Sequence, residues 1–186
     1  VTYALAPGAA AWEVVAGSAF ALTGHRLDHC AVVISTMVQN GTVMGPERML
    51  VLGGSDPNCG ASTCPMGIAL PVSGAEEMTW SSLPQGQGEP AYRFGQSCVF
   101  SHPEVIMFGG GQITVGPTLP NNDLWSYNVE TQSWTQQTAC QGSYAGFNLF
   151  TRAFHSATLM LNPQYGTQML LFGGVTWGPA AICSLN

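Results

Sequence analysis

Three short apolar runs, each ending in a glycine doublet, constrain this chain more than anything else in it. They are Met49-Leu50-Val51-Leu52-Gly53-Gly54, Val105-Ile106-Met107-Phe108-Gly109-Gly110 and Met169-Leu170-Leu171-Phe172-Gly173-Gly174. An unbroken four-residue apolar run is what a strand buried on both faces looks like, and the doublet supplies a turn that tolerates positive φ. The doublets stand 56 and 64 residues apart, so the chain repeats one supersecondary unit.

Upstream of each run lies a second signature: Arg26-x-x-His29-Cys30, Arg93-x-x-Gln96-Ser97 and Arg152-x-x-His155-Ser156. Each leads into small and β-branched residues and reads as the opening of a strand. Trp12, Trp80 and Trp134 stand further upstream, and Asp123-Leu124-Trp125-Ser126-Tyr127 alternates as a half-buried strand does. Each unit therefore reads as four short strands. Composition agrees, because 23 Gly and 12 Pro punctuate the chain while 46% hydrophobic residues supply a core.

The order of an opening strand, a strand ending in Gly-Gly, a strand with Tyr127 and a strand with Trp134 resembles the kelch repeat, whose period is about 50 residues. The match spans essentially the whole chain, most clearly where Arg93, Gly109, Gly110, Tyr127 and Trp134 follow in order. In the unit before it the third strand falls near Gly67 to Val72, where Pro71 marks an edge or bulge. The resemblance implies an all-β fold, a partial β-propeller of four-stranded antiparallel blades. Residues 1–17 read as the end of a preceding blade, 25–83 and 92–137 as blades, and 152–186 as an incomplete one. A lone blade cannot bury both faces and a ring takes typically four to eight. The expectation is a longer native polypeptide, or blades supplied by another chain.

Chemistry finds little foothold. All four cations are arginines, there is no lysine, and the formal net charge is -6, which argues against nucleic acid and anionic membrane surfaces. No apolar stretch reaches the roughly 18 residues needed to cross a bilayer. Gly111 to Thr118 mimics a phosphate loop but carries Pro117 where the lysine belongs. His25 and His29 stand four apart in what reads as a strand, which spans about 13 Å and separates them too far to share one ion. His29 and His155 share a repeat position and read as structural. Arg26, Arg93 and Arg152 read the same way, as five-donor forks tying loop carbonyls, although the resemblance would also let opening strands line a central channel. Adjacent Glu76 and Glu77 diverge on an extended segment, and no nucleophile elbow occurs. No catalytic residue, metal or cofactor is assigned.

Six cysteines and the acceptor pattern Asn40-Gly41-Thr42 favour a secreted, extracellular or organelle-lumen protein, with the cytoplasm as the alternative. Cys59 and Cys64 share a loop and are the candidate disulfide; partners for Cys30, Cys98, Cys140 and Cys183 are not assignable from spacing. The leading functional expectation is a non-catalytic module binding one or more protein partners through loops, Tyr144, Phe147 and Phe150 forming the candidate contact group. The alternatives are a fragment of a copper-radical oxidase, which some proteins of this resemblance are, and a carbohydrate-binding propeller using Trp125, Tyr165 and Trp177.

Overall fold

Apolar runs this short, separated by glycine, proline and asparagine, can satisfy their backbone groups only by pairing as hairpins. A computed structural model of the protein describes residues 2–4, 11, 13–16, 27–35, 38–39, 42–43, 47–55, 66–71, 80–83, 88–112, 120–137, 143–144, 147–148, 151–164, 166–175 and 182–184. Among these, every regular element is a strand and every strand pairing is antiparallel. No helix among them is long and apolar enough to cross a membrane.

Three sheets carry the architecture, each a meander whose strands neighbour one another in chain order. The first joins Cys30–Ser35, Glu47–Leu52, Gly67–Pro71 and Ser81–Ser82. The second joins Ser97–Ser101, Glu104–Phe108, Leu124–Asn128 and Ser133–Gln137. The third joins Ala153–Asn162, Gly166–Val175 and Ile182–Ser184. Local chemistry sets the turns. The Asn128 side-chain oxygen accepts from the backbone N–H groups of Glu130 and Thr131, both at 2.9 Å, and Asn162 accepts from Gln164 N–H at 2.8 Å. In the first sheet Pro71 pairs with Arg48 on one side, while the outermost strand reaches only Ile68 and Ala69 on the other. The missing proline N–H therefore costs no ladder bond there.

The sheets stack face to face and approach one another along their opening strands. Ile34, Leu50 and Leu52 of the first sheet form one core with Val105, Met107, Tyr127 and Trp134 of the second. The opposite face of the second sheet, Val99, Ile106, Phe108 and Leu124, forms another core with Met169 and Leu171 of the third. The second apolar run is thus buried on both faces, as its sequence predicts, with Val105, Ile106, Met107 and Phe108 all at or below 7% exposure. The third run departs from that expectation. Met169 and Leu171 are fully buried, but Phe172 is 74% exposed because its face of the sheet lies uncovered.

Candidate functional site

The repeated signatures meet where one sheet touches the next. Arg93 is almost fully buried, and its Nη1 donates to the Gly109 carbonyl at 3.1 Å. The same guanidinium grips both oxygens of Asp123, with Nη2 to Oδ2 at 2.8 Å, and Nε donates to the Ala91 carbonyl. Trp125 Nε1 donates to Asp123 as well, at 2.8 Å. In the third sheet Arg152 Nη1 donates to the Gly173 carbonyl at 2.6 Å. Each arginine thus fastens the first glycine of its own sheet's doublet. Its backbone carbonyl accepts from the second glycine of the preceding sheet: Gly54 N–H to Arg93 at 2.8 Å and Gly110 N–H to Arg152 at 2.9 Å. Only glycine fits this approach, since Gly109 has φ +66 and a Cβ there would stand 2.5 Å from the Arg152 carbonyl oxygen.

Three residues beyond each arginine, a polar side chain crosses the same boundary. Gln96 Nε2 donates to the Leu52 carbonyl at 2.7 Å and lies 3.8 Å from Cys30 Sγ. His155 Nε2 shares a 2.7 Å hydrogen bond with Ser97 Oγ. Cys30 and Ser97 hold the same repeat position, so the two contacts are one device used twice. A disulfide between Cys30 and Cys98 adds a covalent link between the first and second sheets.

Ser97 and His155 together resemble half of a nucleophilic pair, and the surroundings decide what the pair can do. Both are buried, at 5% and 8% exposure. Burial first, and then the Arg152 charge, push the His155 pKa down to about 4, so the imidazole is neutral at neutral pH. Among the described residues its Nδ1 is buried without a hydrogen-bond partner, so none of them holds the ring through that nitrogen. The pair is placed to join sheets.

A third repeated position, two residues after each arginine, lies at one end of the stack. Asp28, Gly95 and Phe154 all have positive φ, at 57, 67 and 58. Gly95 N–H donates to the Asp28 carbonyl and Phe154 N–H to the Gly95 carbonyl, both at 2.7 Å. This left-handed conformation is unusual for an aromatic residue and holds Phe154 out at 52% exposure, its ring 5.9 Å from that of Phe94. Leu27, at 63%, and Val175, at 61%, add to an apolar rim at that end.

Of the other residues singled out from the sequence, Trp134 is buried against Tyr127, with ring centroids 5.1 Å apart, and Trp80 is half-buried beside Ser81. His29 is exposed. Tyr144 and Phe147 pair across a two-stranded hairpin; their side chains, together with Trp12, Arg26, Asn40, Cys59, Cys64, Phe150, Tyr165 and Trp177, lie outside the described residues. Among the described residues, no group of three or more His, Cys, Asp or Glu is placed to hold a metal ion. Sequence reasoning missed the Asp123 clamp, the Ser97 partner of His155 and the left-handed positions. Aligning the three arginine signatures residue by residue would have exposed the last of these, because a glycine and an aspartate share it.

No family model matches the sequence, and no curated protein matches it. The fold is similar to that in the solved structure of YjhT, at a TM-score of 0.53 and 19% identity. The likeness covers 81% of this chain and 34% of that one, so this chain spans about a third of that structure's length.

Proposed function

We propose that the chain is a sector of a kelch-type β-propeller acting as a non-catalytic protein-interaction module of a larger polypeptide or assembly, in a secreted or lumenal setting. The observation that carries this reading is how the polar side chains at the sheet boundaries are used. Arg93, Gln96, Ser97 and His155 are all buried and hold one strand or sheet to the next. Three consecutive meanders meeting along their opening strands support the propeller sector, and the Cys30–Cys98 bond is compatible with an oxidising compartment.

The surface best suited to a protein partner is the apolar rim of Leu27, Phe94 and Phe154, where a strained backbone holds an aromatic ring in solvent. Affinity capture with the purified chain, compared with a Leu27→Ser, Phe154→Ser double variant, tests it. A saturable protein partner lost in the variant is the expected result; a partner retained by the variant removes the rim, and turnover or stoichiometric copper in the native protein overturns the non-catalytic reading in favour of an oxidase.

A further inference from the structure

The chain joins its sheets twice, and the two junctions differ in one side chain and one covalent bond. Their backbone bonds match: Gly54 N–H to the Arg93 carbonyl and Gly95 N–H to the Asp28 carbonyl in the first, Gly110 N–H to the Arg152 carbonyl and Phe154 N–H to the Gly95 carbonyl in the second. At the first, Gln96 spans the boundary with an amide that does not titrate, and the Cys30–Cys98 bond locks it. At the second, the same repeat position holds His155, whose ring stands edge-on to Phe108 with centroids 5.6 Å apart and Nε2 2.7 Å from Ser97 Oγ. Among the described residues no disulfide crosses that second junction.

The second site suits only the neutral imidazole. Protonation makes both ring nitrogens donors, and among the described residues nothing accepts at the buried Nδ1. Arg152 places a like charge beside the ring. Among the described residues of the elements packed around it, no carboxylate offsets that charge. Ala153–Asn162, Ser97–Ser101 and Gly166–Val175 carry no Asp or Glu, and Glu104 stands opposite Ser101 at the far end of its strand. Asp123, whose carbonyl accepts from Gly109 N–H, has its carboxylate gripped by Arg93. With the junction open the ring is in water and takes its proton near the ordinary 6.5, whereas the closed junction holds it down to about 4, so acid favours opening across that window.

We propose that the junction between the second and third sheets is an acid-operated joint: protonation of His155 parts the third sheet from the second, while the first and second stay together. Opening bares Phe108, Leu124, Met169 and Leu171, so the acidity of the surroundings controls whether an apolar surface is presented. The joint needs only the contact between these two sheets, whatever the chain's partners or the number of its blades.

Two methionines report on the two junctions. Met107 lies in the core of the first and Met169 in the core of the second, each fully buried. Hydrogen peroxide oxidises an accessible thioether to the sulfoxide, transferring one oxygen atom and releasing water. Peptide mass spectrometry after brief exposure gives the rate at each site, with free methionine in the same buffers correcting for the intrinsic rate. Lowering the pH from neutral to about 5 favours opening about 20-fold, the ratio set by the two protonation limits. Met169 is expected to oxidise faster by that factor, and Met107 to keep its neutral-pH rate. In His155→Gln the acid acceleration at Met169 is expected to vanish while Met107 stays protected, which also establishes that the variant is folded. Equal acceleration at both methionines of the native chain means global unfolding and overturns the joint, and this comparison needs no variant. An unchanged Met169 rate in acid, or an acceleration that persists in folded His155→Gln, overturns it as well.

Discussion

At His155 a buried imidazole ties the third sheet to Ser97, and its titration makes that tie pH-dependent. The folded state holds its pKa at about 4, below the ordinary 6.5, so the unfolded chain binds the proton more readily. Its contribution to stability is complete above the ordinary value and is lost as pH falls towards about 4, for a total on the order of 3 kcal/mol. Gln96 fills the same repeat position without titrating, so His155→Gln is expected to keep the contact and flatten that part of the acid limb. Urea midpoints of the two proteins at neutral and mildly acidic pH measure the difference. Arg93 gives a second prediction. Arg93→Lys keeps the charge but loses the fork that spans Asp123 and the Gly109 carbonyl, and is expected to cost about 2 kcal/mol in denaturant titration. The arginines were legible from the repeated signature, whereas Asp123 was visible only as the opening of a strand, because its partner stands 30 residues away.

Among elements, the strand ending in Gly-Gly is the same object in three surroundings. Gly109 and Gly173 have nearly equal φ, +66 and +74, but only Gly109 lies under a neighbouring carbonyl. Gly173→Ala therefore is expected to cost about 1 kcal/mol in dilute protein, the penalty of a Cβ in the left-handed region. Gly109→Ala adds a contact that forces backbone apart and is expected to cost about 3 kcal/mol. Thermal melts of the two variants compare them directly; equal losses would mean that the third sheet's outer face is covered in solution. Strand identity and order were legible here, since a four-residue apolar run followed by glycine admits few other folds. The strand Gly67–Pro71 and its proline were placed from sequence as well. Burial was not, because the runs ending at Phe108 and Phe172 read alike and differ only in what packs on them.

For the whole molecule, the Cys30–Cys98 bond closes a loop of 68 residues between two sheets. Loop-closure entropy of that length predicts that Cys30→Ser with Cys98→Ser lowers unfolding free energy by roughly 4 kcal/mol, checked by urea titration of the variant beside the oxidised protein. Cysteine spacing favoured Cys59 with Cys64 and left this pair unassigned, since residues distant in sequence become neighbours only when sheets stack. The sequence by itself determined the all-β class, the repeat and the positions that need glycine or arginine, because strand period, backbone sterics and hydrogen-bonding capacity are local properties. Tertiary structure alone decided which side chains cross between sheets, that Ser97 and His155 form a buried joint, and that the Phe172 face is open. Those outcomes depend on which sheet lies against which, and three equivalent segments with nearly the same local sequence carry no record of their neighbours.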